Sequence, residues 1–232
     1  MDWEKFKDKF DESWHNKIRK FIESEECDKI YEFLKNEAKR GKKIAPSSDV
    51  TFRCFKETKL DDVKVVLLGM CPYHTFINYE PIADGLLMGC SKTMKLQPSL
   101  TKFYEGIEKE IGIKAFKDPD VSYLAHQGVL MLNAGLTVEM NKPGSHNKIW
   151  EPFTKYVIEE ILSLLGVPFI FLGKDAQYYE RFVGPFTWTF NLSHPASAAY
   201  SNGDWDTEQV FTKVNKVIKG NNNHTINWIK EK

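Results

Sequence analysis

Four apolar runs in this chain each stop at residues that can turn the backbone or do chemistry. Val65-Val66-Leu67-Leu68 stops at Gly69 and is followed by Met70, Cys71, Pro72, Tyr73 and His74. Val129 to Leu132 stops at Asn133, Phe169 to Leu172 at Gly173-Lys174, and a run from Phe186 to Leu192 at Ser193-His194. A thiol beside an imidazole is a pair used in nucleophilic catalysis, so Cys71 with His74 or His194 is one chemistry on offer. An amide, an imidazole, a lysine and hydroxyls brought together make instead a polar binding site. Taken singly, each of these residues is equally an ordinary loop residue.

The elements that must position them follow from the same runs. Short continuous apolar stretches bounded by turn residues read as strands buried on both faces. Helical patterns separate them: Gln97-Pro98-Ser99 opens a helix with Leu100, Phe103, Tyr104 and Ile107 on one side, and Trp150 to Leu165 forms another. Ala176 to Phe182 and about Thr207 to Ile218 complete the series, with a short helix over Tyr123 to Gln127. Strands alternating with helices predict an α/β fold with a parallel sheet and helices on both faces. In such sheets all four strand ends lie at one edge, where ligands bind. Four polar strand ends at one edge point to a convergent site. The N-terminus of the helix at Pro98 suits a phosphate, and suits plain capping equally well.

Residues 1 to 42 read as a helical N-terminal part, with Asp28 as a cap for its second helix and Gly41 as its stop. Residues 219 to 232 read as a polar tail with Trp228 as an anchor. No repeat or linker interrupts the 232 residues, which predicts one domain over 1–232. Lysine and arginine number 32, as do aspartate and glutamate, so a nonspecific polyelectrolyte binder is not expected. Specific DNA binding through hydroxyls and backbone N–H groups remains open. Cys27, Cys54, Cys71 and Cys90 are scattered without a CxxC pair, which disfavours a zinc or iron–sulfur site and suits a reduced, intracellular, cytoplasmic chain. No apolar run reaches membrane-span length, and no signal peptide is visible.

The chain resembles the main uracil-DNA glycosylase family along nearly its whole length. Gly69-Met70-Cys71-Pro72-Tyr73-His74 is similar to the family's GQDPYH, and Gly128 to Asn133 to its G-V-L-L-L-N. Leu136-Thr137-Val138, Ser145-His146 and Trp150-Glu151-Pro152-Phe153-Thr154 resemble its L-T-V, S-H and W-E-x-F-T. His194-Pro195-Ala196-Ser197 resembles its HPSP loop, and Gln97-Pro98-Ser99-Leu100 its P-S-L loop. The resemblance implies a three-layer α/β/α fold around a four-stranded parallel sheet. It implies hydrolysis of the N-glycosidic bond of a flipped-out uracil, without metal or cofactor. Asn133 would read the uracil edge, Tyr73 would exclude a 5-methyl group, and His194 would donate to O2 as charge develops on the base. Met70 and Met88 would touch the substrate. His74, Pro98, Ser99, Gly173, Lys174, Ser193 and Ser197 would hold DNA, with Tyr200 or Ala198-Ala199 at the position of the duplex wedge. The implied partners are uracil-containing DNA, single- or double-stranded, and a protein inhibitor that mimics DNA; the implied state is a monomer.

Three positions depart from the family pattern. Cys71 stands where the family has its catalytic aspartate, Met70 where it has glutamine, and Met88 near its stacking phenylalanine. A neutral thiol supplies neither the negative charge nor a good acceptor for water, which places Cys71 in the catalytic position without the family's chemistry. An attenuated glycosylase and a uracil- or DNA-binding module without turnover both follow from that exchange. A thiol-dependent enzyme with Cys71 as nucleophile is the third reading.

Overall fold

The computed structural model describes residues 1–221 and 223–230; the remainder of the expected polar tail, residues 222, 231 and 232, lies outside the described residues. Its centre is a sheet of four strands: β1 (Val65–Gly69), β2 (Val129–Asn133), β3 (Phe169–Leu172) and β4 (Thr189–Leu192). They lie in the order β2-β1-β3-β4, and every pairing is parallel. β1, β2 and β3 are buried along their whole length, as their unbroken apolar sequences require, and the edge strand β4 is half open.

Six helices of seven residues or more surround the sheet among the described residues: α1 (His15–Ile22), α2 (Glu25–Lys39), α3 (Pro98–Ile111), α4 (Asn147–Tyr156), α5 (Pro195–Ser201) and α6 (Val210–Gly220). α2 packs on α1 and α4, whereas α3 packs on α5 and α6. Strand order accounts for this division. The chain moves from β1 to one side to form β2, then back across to β3 and β4. Right-handed crossovers therefore carry α3 over one face and α4 over the other. One core cluster extends from Trp3 to Ile229. The α/β fold with a central parallel four-stranded sheet is as the sequence predicts.

Several boundaries differ. The N-terminal part begins with three short 3-10 turns before α1. Ser24 caps α2 by accepting from the Cys27 N–H, while Asp28 lies in the first turn and meets the N-terminal amine at 2.5 Å. The helical stretch expected from Trp150 begins at Asn147, and after Tyr156 loosens into a π turn and a 3-10 turn. The fourth strand starts at Thr189, although the Trp188 carbonyl already accepts from Phe169 N–H (2.8 Å), and Phe186 and Trp188 are 99% and 61% exposed. The HPSP-like segment is helical rather than a loop, with His194 as the N-cap of α5.

Candidate active site

The register of the sheet levels the four strand ends. Gly69 pairs with Asn133, Leu68 with Phe171, and Leu172 with Leu192. Two more hydrogen bonds continue the β1–β2 ladder past the strands: Ala134 N–H donates to Gly69 O (2.8 Å) and Gly135 N–H to Met70 O (2.9 Å). The Leu87 side chain packs directly on Gly69, so a Cβ there would require Leu87 Cδ1 to shift. Strand order 2-1-3-4 also reverses direction between β1 and β3. That reversal opens a crevice between their carboxyl ends, the position where open α/β sheets take ligands.

On the β1 side, Cys71 and Tyr73 are half-buried and pack beside Ala45, Ala83 and Val138. Burial pushes the Cys71 thiol up to about 11, a Gly144 N–H hydrogen bond pulls it down, and the Asp175 carboxylate adds to the rise. The thiol is therefore neutral at pH 7. The Tyr73 hydroxyl is hydrogen-bonded to Ser99 Oγ at 2.7 Å, and burial holds it protonated well above its ordinary range. His74 is half-buried and its Nδ1 has no partner among the described residues. Met88 is buried with φ +60° in a loop bound to β2 through Leu87 N–H to Met131 O (3.0 Å).

At the end of β2, Asn133 is 3% exposed and its Oδ1 accepts no hydrogen bond among the described residues. A buried acceptor left open costs about 1–3 kcal/mol. At a strand end beside the crevice, that acceptor is free to take a hydrogen bond from a water or a ligand.

On the far side, Gly173 N–H donates to Leu192 O (2.8 Å), which ties the β3 turn to β4. Gly173 has φ +84° and comes within 3.2 Å, at its Cβ position, of His194 Cβ. Trp205 Nε1 donates to Ser193 O (2.9 Å) and braces the next turn. His194 Nδ1 accepts from Ala196 N–H at 3.1 Å. That bond assigns the ring proton to Nε2, and burial lowers the pKa below the ordinary imidazole value. His194 is thus a neutral donor at pH 7.

The structure places Pro98, Lys174, Ser193, Ser197 and Tyr200 on the surface, Tyr200 at 86% exposure. Ser99 departs from the expectation that its hydroxyl grips a phosphate. It is buried, and its hydroxyl is engaged by Tyr73. A cavity of about 440 Å³ extends over Ala134, Asn147, Lys174 and Asp175 at the same sheet edge. A larger one of about 520 Å³, lined by apolar groups such as Phe21, Ile30 and Phe153, lies under the N-terminal helices and includes none of the site residues. Sequence reasoning missed Asp84, Asn147 and Asp175. The signals were available: Asp84 lies in the segment before Met88, Asn147 follows Ser145-His146, and Asp175 is two residues beyond the glycine that ends β3. Among the described residues no group of three His, Cys, Asp or Glu side chains could hold a metal ion. No helix among them is long and apolar enough to cross a membrane.

No protein-family model matches the chain. Individual proteins do. It is 34% identical over 221 residues to the uracil-DNA glycosylase of Acinetobacter baylyi, covering 94% of this chain and 92% of that one. The chain belongs to the uracil-DNA glycosylase family. The uracil-DNA glycosylase of Azobacteroides pseudotrichonymphae is likewise 34% identical, over 95% of this chain and 99% of its own. Among solved structures, mimivirus uracil-DNA glycosylase superposes with a TM-score of 0.87 at 21% identity, over 98% of this chain and 89% of that one. A mimivirus variant in complex with UGI gives 0.86 at 22% identity, over 94% and 88%. These two likenesses concern the fold. Membership in the uracil-DNA glycosylase family carries the general function of a DNA-repair glycosylase, a hydrolase directed at uracil.

Proposed function

We propose that this chain takes uracil out of DNA and hydrolyses its N-glycosidic bond, slowly, because position 71 is a neutral thiol. The observation that carries the reading is the open Oδ1 of Asn133, buried at the edge where the site residues of β1, β3 and β4 also end. Uracil offers a donor at N3 to that oxygen and an acceptor at O4 to the amide nitrogen. Cytosine reverses both and would leave two buried polar groups unmatched. Tyr73, held by Ser99, bars a 5-methyl group, and Met70 and Met88 border the base. As the C1′–N1 bond breaks, its electron pair departs with the base and negative charge grows on O2. The neutral His194 meets that charge with its Nε2–H, which requires no proton loss and so stabilises the transition state more than the ground state. Water adds at C1′, and the proton it loses passes through solvent and is balanced by protonation of the departed uracil anion, which completes hydrolysis.

DNA is held in this reading by Lys174, Ser193, Ser197, His74 and the backbone at Gly173 and Pro98, with Tyr200 pressing into the duplex. The chain acts as one domain and as a monomer. A protein inhibitor occupying the DNA groove belongs to the same proposal, by analogy with the mimivirus variant solved with UGI. The neutrality of Cys71 favours one second reading, a uracil-DNA binder without turnover.

The test is uracil release from a labelled single-stranded oligonucleotide under single-turnover conditions. Measurable release by the native chain, and release about 100-fold faster from Cys71→Asp, is expected. Release by Cys71→Asp alone, with tight binding by the native chain, selects the binding module. No release and no binding by either protein overturns both readings.

A further inference from the structure

We propose that the apolar cavity under the N-terminal helices binds the free anion of a medium-chain fatty acid, its tail inward and its carboxylate at the mouth.

The cavity has the size and the lining of a ligand site. Its volume of about 520 Å³ lies within the range that takes small molecules, about 300–1,000 Å³. Its floor is made by Phe21, Ile22, Phe52, Trp150 and Phe153, all of them buried. The floor asks for no hydrogen bond from a guest. Trp150 Nε1 already donates to Thr137 Oγ1 (2.7 Å), and that hydroxyl is also bonded to His146. An apolar floor without open polar groups holds water poorly and suits an alkyl chain. Counting about 30 Å³ for each group the size of a water molecule, the space takes one tail of about 12 carbons with its head.

The mouth has the opposite character. Tyr31, Lys35 and Ser48 are exposed there, and Lys9 is half-buried. Two lysines line the cavity and, among the described residues, no aspartate or glutamate does. Lys35 is paired with Glu32 at 2.9 Å. Lys9 has no carboxylate partner among the described residues, and its Nζ donates only to Ser48 O (3.0 Å). An ammonium carries three hydrogens, so Lys9 keeps donors for an incoming anion. A cation with open donors beside an apolar space is complementary to one carboxylate on one alkyl tail.

The cavity and the uracil site share a wall but not a lining. A short antiparallel ladder pairs Ile44 with Glu139 and Ala45 with Val138. Successive side chains of a strand point to opposite faces. Ile44, Pro46 and Thr137 line the cavity, whereas Ala45 and Val138 between them pack with Cys71 and Tyr73. None of Cys71, Tyr73, Asn133 and His194 lines the cavity. The fatty-acid site therefore stands or falls apart from the glycosylase reading.

Calorimetric titration of the full chain with sodium dodecanoate, kept below its micelle concentration, tests this. One saturable site is expected, with affinity falling about tenfold for each two carbons removed, in decanoate and then octanoate. Lys9→Gln should weaken dodecanoate about tenfold, and dodecyltrimethylammonium should bind at least about tenfold more weakly than dodecanoate. Ile30→Trp, which fills the space from α2, should abolish binding, and thermal unfolding shows whether that variant is folded. Lys9→Gln changes only the mouth and keeps the test independent of core repair. No saturable binding of dodecanoate, equal binding of the cationic amphiphile, or binding unchanged by either substitution in folded protein overturns the proposal. Uptake onto phosphatidylglycerol vesicles without binding of the free acid also overturns it, because the mouth is then a membrane contact.

Discussion

Asp84 and Asn133 are both polar and both buried, one in the loop that bonds to β2 through Leu87 and the other at the end of β2, yet they are treated in opposite ways. Asp84 is 0% exposed and fully occupied. Its Oδ1 accepts from Leu86 N–H (3.1 Å), and its Oδ2 from Ser91 N–H (2.9 Å) and Ser91 Oγ (2.6 Å). Arg53 Nη1 completes the cage at 2.9 Å. Asn133 is as deep, but its Oδ1 has nothing. A buried polar group closed by its own protein serves the fold. One left open at a strand end keeps an acceptor free, which is what the proposed reading of uracil by Asn133 requires. The two stand close in function, since the cage of Asp84 holds the loop that carries Met88.

The largest effect expected from this contrast is on stability. Asp84→Ala leaves the Arg53 guanidinium with Glu57 (3.0 Å), Asp120 (3.5 Å) and the Ser91 hydroxyl (3.1 Å), and strips two N–H groups and a hydroxyl of their acceptor. Breaking a buried charge pair costs about 3–5 kcal/mol. Urea unfolding should show a loss near the lower end of that range, because the remaining carboxylates keep Arg53 partly paired. A loss under about 1 kcal/mol would dissolve the distinction.

Asn133→Ala should do the reverse. No internal hydrogen bond of its Oδ1 is lost, so stability should change by less than about 1 kcal/mol. Uracil release should fall about 100-fold, the equivalent of two hydrogen bonds of ordinary strength. Parallel urea titrations and single-turnover assays separate the two quantities. A large loss of stability with unchanged release would move Asn133 into the class of Asp84.

The same contrast explains what could be read from the sequence. Strand ends were legible, because Val65 to Leu68, Val129 to Leu132 and Phe169 to Leu172 are unbroken apolar runs that stop at glycine or an amide. The start of β4 was not, since Phe186 and Trp188 have core composition yet stand exposed; a one-dimensional pattern carries no sign of which side faces water. The candidate residues were legible as types. Their states were not. That Ser99 closes on Tyr73 and that Asn133 stays open depend on segments far apart in the chain, Tyr73 and Ser99 being 26 residues apart. Asp84 was missed for the opposite reason: its partners Leu86 and Ser91 are local, but Arg53, which makes the cage a charge pair, comes from another element.

Two histidines, His146 buried and His194 half-buried, extend the comparison to pH, with the smallest effect. His146 is 1% exposed and lies away from the strand ends, although its Nε2, like Asn133 Oδ1, has no hydrogen-bond partner among the described residues. Thr137 Oγ1 accepts from Trp150 Nε1 (2.7 Å) and is hydrogen-bonded to His146 Nδ1 (2.9 Å). Burial lowers the His146 pKa, with Glu37 and Glu139 opposing and Lys42 reinforcing the shift. His194 belongs to the site, and burial lowers its pKa too. Both resist a proton in the folded state that the unfolded chain takes up near pH 6.5. The unfolded state therefore binds more protons just below that pH, and stability must fall as pH drops from 6.5 toward the lowered values. Each residue contributes a slope of up to about 1.4 kcal/mol per pH unit in that window. Urea unfolding between pH 7 and pH 5 should lose part of this slope in His194→Gln, with the His146 part remaining. Uracil release should be flat through pH 6.5 and fall only below it, since neutral His194 is the competent donor. A rate that rises on acidification through pH 6.5 would mean that the imidazolium, and not the neutral ring, meets the departing base; His194 would then belong with the charged groups of the site, and the open Asn133 would stand alone as its neutral reader.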